Sequence, residues 1–388
     1  MKYIIKKLMV FIVLFNLFNT ASSQISHEEY KQAVEFCISR LSDSIQEIDS
    51  IRYPILTKGL GEWEVTEPSY WTSGFFPGCL WYAHKLHPEE EILNAALNFT
   101  QGLEDQKFNT ETHDIGFMIF NSFGNGYRFE KKTEYKEIIL EAANSLSKRY
   151  NPNVGCTQSW NGEFQVIVDN MMNLELLFWA AKNSGDKKLY DIAVSHANKT
   201  IENHIREDGS SFHVVVFDTA TGKVIEKRTA QGLSDNSAWA RGQAWGIYGF
   251  TMSYRETHDT TYLNTAMKMA DYFIKHLPDD FIPYWDLNLP ENSPRKFKDA
   301  SASTIALSAL LELRKYTGST SMYDSTINNM MISLLKNYLS INTNSSGIIL
   351  HSAYNVNSDN PFYHDASTIW GDYYFLEALY RYKESFLN

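Results

Sequence analysis

Three short motifs in this chain carry an acid at the head of an apolar stretch: His113-Asp114-Ile-Gly-Phe, Asp169-Asn170-Met-Met-Asn173 and Asp299-Ala-Ser301. Each acid has an ordinary reading as a helix N-cap, its carboxylate accepting from the first unpaired N–H groups. Asp169 resists that reading. It follows the apolar run Phe164 to Val168 and precedes Asn170, so it should be buried, where an unpaired carboxylate is costly unless functional. Asp114 has His113 beside it as a hydrogen-bond or charge partner. Two acids on one site supply what acid–base chemistry on a sugar needs: one group donates a proton while another orients or activates water. Arg241, in Trp239-Ala-Arg-Gly-Gln-Ala-Trp245, is a cation in a nearly chargeless stretch, and either a substrate carboxylate or a neighbouring acid would serve as its partner. Trp71, Trp160, Trp239 and Trp245 are candidates for stacking on sugar rings, with plain core packing as the alternative. Trp81 and Trp179, deeper in their segments, read as core.

Other chemistries find little support. There is no HExxH, no Cys/His zinc spacing, no GxSxG elbow and no phosphate-binding glycine loop, and the 11 His are scattered, so neither a metal nor a cofactor is expected. With 35 Lys+Arg against 46 Asp+Glu, the formal net charge of −11 argues against a nucleic-acid partner, whose phosphates demand cations. At 44% hydrophobic the chain is no disordered segment. Its 9 Trp, 23 Tyr and 23 Phe exceed what a core of this size needs, which fits either rings lining a groove or an aromatic-rich helical core.

These residues must be held by helices. Apolar residues recur at three- and four-residue spacing over twelve segments: 26–48, 71–87, 89–107, 114–125, 132–149, 169–184, 187–206, 236–256, 259–277, 299–316, 319–340 and 367–386. The exception is His213-Val-Val-Val-Phe-Asp, a Thr-Ala-Thr-Gly turn and Lys223-Val-Ile-Glu-Lys, which reads as a β-hairpin. Segments 132–149, 187–206, 259–277 and 319–340 carry charge on one face, as outer helices do. Those opening near Trp71, Asp114, Asp169, Ser237, Asp299 and Ser367 are apolar nearly all round, as buried helices are. Six buried segments, each paired with one of the six others, predict an all-α fold, an (α/α)6 barrel with an inner ring inside an outer ring. A helical solenoid is the competitor, but it would show a cleaner repeat length. In an up-down ring the inner starts share one rim, so the three acids, Arg241 and the tryptophans converge on one mouth, beside helix ends that favour an anion.

Residues 1–23 read as a secretory signal peptide, with Lys2, Lys6 and Lys7 before an apolar run and Ala21-Ser22-Ser23 before Gln24. Without the leader's three positive charges the net charge falls from −11 to −14. The residue directly after the leader is Gln24 and not Cys, so no lipid or membrane anchor is expected, and residues 24–388 read as one catalytic domain. Cys37, Cys79 and Cys156 have no CxxC spacing and read as small buried hydrophobes.

The set Trp71-Thr-Ser-Gly-Phe-Phe-Pro-Gly, His113-Asp-Ile-Gly-Phe, Asp169-Asn-Met-Met-Asn-Leu, Ser237-Ala-Trp-Ala-Arg-Gly-Gln-Ala-Trp-Gly, Asp299-Ala-Ser-Ala-Ser and Trp370-Gly-Asp-Tyr resembles the unsaturated glucuronyl hydrolases of glycoside hydrolase family 88. The related rhamnogalacturonyl hydrolases of family 105 share the barrel and the acid pair but usually lack this form of the Arg-Gly-Gln-Ala-Trp block. A barrel that only binds oligosaccharides is a further alternative. The resemblance implies hydration of the 4,5 double bond that polysaccharide lyases leave on a terminal uronic acid, rather than attack at the anomeric carbon. It implies that Asp169 protonates C4 and then activates water for C5, with Asp114 assisting. It implies that His113, His213, Gln231, Trp239, Arg241 and Trp245 contact the unsaturated ring while Trp71 and Trp160 shape the pocket, the hairpin at His213 serving as a flap. Expected ligands are unsaturated uronic-acid oligosaccharides from chondroitin, hyaluronan, heparin or ulvan, bound by a monomer or homodimer that export carries to a periplasm, with secretion from the cell as the alternative. Some relatives that prefer sulfated ends carry a Ser-x-Lys cluster shortly before Trp-Gly-Asp-Tyr. Here that stretch, Asn357 to Asp365, has no Lys, leaving Ser358 and His364 as possible sulfate contacts.

Overall fold

The computed structural model describes residues 24–48, 52–318 and 322–387, so the leader expected over 1–23 lies outside the described residues. Twelve α-helices are described: α1 (His27–Glu47), α2 (Phe75–Leu86), α3 (Glu90–Gln101), α4 (Asn125–Glu130), α5 (Glu134–Ser147), α6 (Asn170–Ser184), α7 (Lys187–His204), α8 (Ala240–Thr257), α9 (Thr260–Lys275), α10 (Ala300–Thr317), α11 (Met322–Ser333) and α12 (Ile369–Tyr382). Apolar spacing decides which lie inside. In α9 the buried residues Tyr262, Thr265, Ala266, Met269, Ala270 and Phe273 fall on one stripe, whereas in α8 every residue from Ala240 to Ser253 is buried. The inner helices pack in order: α2 against the segment Gly116–Gly124 that leads into α4, then α6, α8, α10 and α12, with α12 returning to α2. The ring is closed, which excludes the solenoid. The outer helix α1 packs near α12 and α2, and Gln24 Nε2 donates to the Phe386 carbonyl at 2.8 Å, so the two ends of the described chain meet.

The segment expected as one helix over 114–125 differs. Gly116–Gly124 is a π-helix, continued by α4. Tertiary contacts decide this widening: Asn173 Oδ1 takes the Phe117 N–H at 2.9 Å, and at Gly74 a Cβ would lie 2.1 Å from the Phe117 carbonyl oxygen. The hairpin is present as β6 (Val214–Phe217) and β7 (Val224–Arg228), following five other short strands. These are β1 (Tyr53–Thr57), paired antiparallel with β2 (Trp63–Thr66); β3 (Tyr150–Asn151), paired with β4 (Cys156–Thr157); and β5 (Gln165–Ile167). β5 pairs antiparallel with β6, so the apolar run before Asp169 is the third strand of the flap. All three cysteines are free and buried. Among the described residues no helix is long and apolar enough to cross a membrane.

Candidate active site

One cavity of about 550 Å³ opens on the rim where the inner helices start, the size of a small-ligand site. Of the residues singled out from sequence, Asp114, Asp169, His113, Gln231, Trp239, Arg241, Trp71 and Trp160 line it. His213 stands directly behind, its ring stacked on Trp239 at 4.4 Å and its Nε2 3.9 Å from Asp169 Oδ2. Trp245 does not line the cavity. It is 1% exposed and packs on Phe117 and Tyr374, because it sits a full turn down α8 from Arg241. The structure therefore does not support direct ring contact by Trp245, which backs the wall instead. Tyr70, Thr112, Tyr354, Asn355 and Tyr363 also line it, with Ser69, Phe117, Ile167 and Ala230. Tyr354 and Tyr363 are not among the residues singled out from sequence; the signal for them is three aromatics, Tyr354, Phe362 and Tyr363, in the polar stretch between Ala353 and Asp365.

The three acids separate by their surroundings. Asp299 is an N-cap: its Oδ1 accepts from Ala302 N and Ser301 Oγ, and its Oδ2 takes Arg241 Nη1 at 3.1 Å. Asp169 occupies the N-cap position of α6 but makes no cap hydrogen bond, and its Oδ2 is shielded from solvent without any hydrogen-bond partner. Its side chain is 13% exposed. Burial lifts its pKa from 3.8 to about 7, Arg241 pulling it down and the Asp114 charge adding to the rise. Asp114 is held differently, its Oδ2 accepting from the Thr112 hydroxyl at 2.9 Å.

The histidines aim protons at both acids. His213 Nδ1 accepts from the Ala230 and Gln231 backbone N–H groups at 3.2 and 3.3 Å, so in the neutral ring the proton is on Nε2, facing Asp169. Asn173 Oδ1 is occupied by the Phe117 N–H, so its amide donates to His113 Nδ1 at 3.3 Å. His113 Nε2–H then faces Asp114 Oδ1 at 3.3 Å, without hydrogen-bond alignment. Burial, with Arg241 adding to it, depresses His213 to about 3. Burial also depresses His113. Both rings are neutral at pH 7, so a pocket made positive by histidines is not what forms. The positive charge is Arg241 alone among the lining residues, stacked between Trp239 and Trp370 at 4.5 and 5.3 Å and bonded to Asp299 and to the Ala353 and Tyr354 carbonyls. His364 Nε2 meets the Ser358 carbonyl at 2.7 Å, which occupies that nitrogen. No group of three or more His, Cys, Asp or Glu able to hold a metal occurs among the described residues.

Gly116 fits this machinery closely. A Cβ there would lie 2.4 Å from Asn173 Oδ1 and 2.8 Å from its Cα. Gly116→Ala is therefore expected to displace the amide that orients His113, costing ~1–3 kcal/mol of stability in denaturant unfolding together with activity.

A family model described as Glycosyl Hydrolase Family 88 matches residues 38–384. The chain belongs to glycosyl hydrolase family 88. A Formosa agariphila protein named unsaturated glucuronyl hydrolase is 45% identical over 320 residues, covering 80% of this chain and 79% of that one. A Streptococcus agalactiae unsaturated chondroitin disaccharide hydrolase is 34% identical, covering 91% of each. Among solved structures, an unsaturated glucuronyl hydrolase specific for heparin superposes with a TM-score of 0.88 at 37% identity, covering 92% of this chain and 98% of that one. The fold is thus the family's (α/α)6 barrel with a small β flap, and the activity is that of an unsaturated glucuronyl hydrolase, a glycoside hydrolase.

Proposed function

We propose that Asp169 is the proton donor and then the base in hydration of the 4,5 double bond of a terminal unsaturated uronic acid. The observation that carries this is the solvent-shielded, unpartnered Oδ2 of a carboxyl held near neutrality at the cavity wall. A carboxylic acid with a pKa of about 7 holds its proton long enough to deliver it to C4, and its conjugate base is strong enough to take one from water. Protonation at C4 leaves the positive charge shared by C5 and the ring oxygen. Asp114, fixed by Thr112, offers negative charge to that intermediate. Water then adds at C5 as Asp169 takes back a proton. The resulting hemiketal opens to a C5 ketone, and collapse at C1 releases the second sugar. The His213 and His113 N–H groups each face one oxygen of the two carboxyls, at 3.9 and 3.3 Å, without bonding it, leaving those oxygens free for the substrate and water, and Arg241 supplies the field that draws the substrate carboxylate.

The substrates are disaccharides and short oligosaccharides cut by lyases from glycosaminoglycans or ulvan. One S. agalactiae relative has been solved with dGlcA-GalNAc6S, and others are named for chondroitin or heparin substrates. Residues 1–23 serve as an export leader, placing a monomer or homodimer in a periplasm. N-terminal sequencing of the exported protein would then begin at Gln24. The main test follows the vinyl-ether absorbance of a panel of unsaturated disaccharides. Catalysed loss of absorbance is expected. Saturable binding with no spectral change would leave a binding barrel, and a rise in absorbance would mean lyase chemistry instead.

A further inference from the structure

Arg149 lies outside the cavity lining and has no part in the steps above, yet it ties together two loops at the mouth. Its Nε donates to the Gln158 carbonyl and its Nη2 to the Ser159 carbonyl, both at 2.9 Å. Nη1 donates to the Thr110 carbonyl at 2.5 Å, and both terminal nitrogens reach Asn161 Oδ1 at 3.2 and 3.3 Å. All five N–H groups of the guanidinium thus have an acceptor. Asn161 Nδ2 in turn donates to Glu111 Oε2 at 2.9 Å, closing the link between residues 110–111 and 158–161. Between Ser159 and Asn161 stands Trp160, 36% exposed at the mouth, with its ring against His213 at 6.4 Å. Ser159 is also tied to the Gln165 carbonyl, through its N–H at 2.9 Å and its hydroxyl at 2.7 Å, but Arg149 is the side chain that reaches both residues flanking the indole.

We propose that Arg149 is a positioning residue for Trp160, setting the indole at the mouth of the cavity, where it stacks on the bound saccharide. The inference rests on the reading of this cavity as the substrate pocket. Lysine cannot replace the clamp, because its three donors radiate from one point whereas these acceptors surround a planar fork. KM and kcat on an unsaturated disaccharide would be measured for Arg149→Lys, Arg149→Ala, Trp160→Ala and the Arg149→Ala/Trp160→Ala pair. Each single variant is expected to raise KM about tenfold, or ~1.4 kcal/mol of binding, with kcat within about threefold. The pair should raise KM no more than about twofold beyond Trp160→Ala. Should Arg149→Ala not fold, Arg149→Lys with Trp160→Ala carries the same comparison. Additive KM effects in the pair, an unchanged KM in Arg149→Lys, or a fall in kcat alone would overturn the proposal. A wild-type enzyme that left the absorbance unchanged would instead count against the reaction, and the same variants would then be compared by tryptophan fluorescence during saccharide titration.

Discussion

Asp169→Asn is expected to lower kcat on an unsaturated disaccharide by roughly 10²- to 10⁴-fold, the usual share of a positioned acid–base group, while making the protein more stable. Both effects have one cause. The carboxyl stands in a shielded site that lifts it from 3.8 to about 7, so the folded protein holds a proton that the unfolded chain releases at much lower pH. The stability associated with that proton is fully present below about pH 4 and is lost as pH rises through 7. An amide carries no such loss. The gain in Asp169→Asn should therefore be small at pH 4, grow across the interval and level off above 7, at ~2–4 kcal/mol. Wild-type kcat should fall on the alkaline side as the donor proton leaves near pH 7. Denaturant unfolding at three pH values and a kcat–pH profile check the pair. A variant within tenfold of wild-type kcat, or a stability gain independent of pH, would remove Asp169 from the proposed role.

Arg241→Met is expected to cost ~3–5 kcal/mol and at least about 10² in kcat/KM. Arg241 is 2% exposed and Asp299 0%, so the substitution strands a buried carboxylate that keeps only Ser301, Ala302 and a 3.4 Å approach from Ala353 N. It also frees the Ala353 carbonyl and leaves the Tyr354 carbonyl, at the cavity wall, held by Gln231 Nε2 alone. The two losses can be separated. Adding Asp299→Asn removes the uncompensated charge and should return most of the stability, while kcat/KM stays low because the cavity still lacks its cation. Recovery of activity along with stability in the double variant would show that Arg241 acts only through the fold.

The sequence was legible where burial alone set the pattern. The apolar run before Asp169 announced a shielded carboxyl, and the alternation of chargeless with one-faced helices announced two rings. The same signal failed for Trp245. Trp239 caps α8 and Trp245 lies within it, in a single motif, and those six residues separate a residue at the mouth from one in the core. It failed also for β5, because three residues carry too little alternation to mark a strand until β6 is seen beside them.

By itself the chain determined an (α/α)6 barrel with its chemistry at the inner helix starts, since periodicity and charge are local properties that any packing must obey. The charge state of the site was decided only in three dimensions. In sequence His113 is either a hydrogen-bond or a charge partner for Asp114, and burial settles it, keeping both His113 and His213 neutral. Their protons are fixed by Asn173, 60 residues away, and by the Ala230 and Gln231 amides, 17 and 18 away. Asp299 and Asp169 begin helices in much the same sequence setting. One became a cap salt-bridged to Arg241, and the other was left without a partner. Desolvation and hydrogen-bond partnership are properties of the assembled neighbourhood, so the sequence marks which residues meet at the mouth, and the packed barrel decides which of them holds a proton.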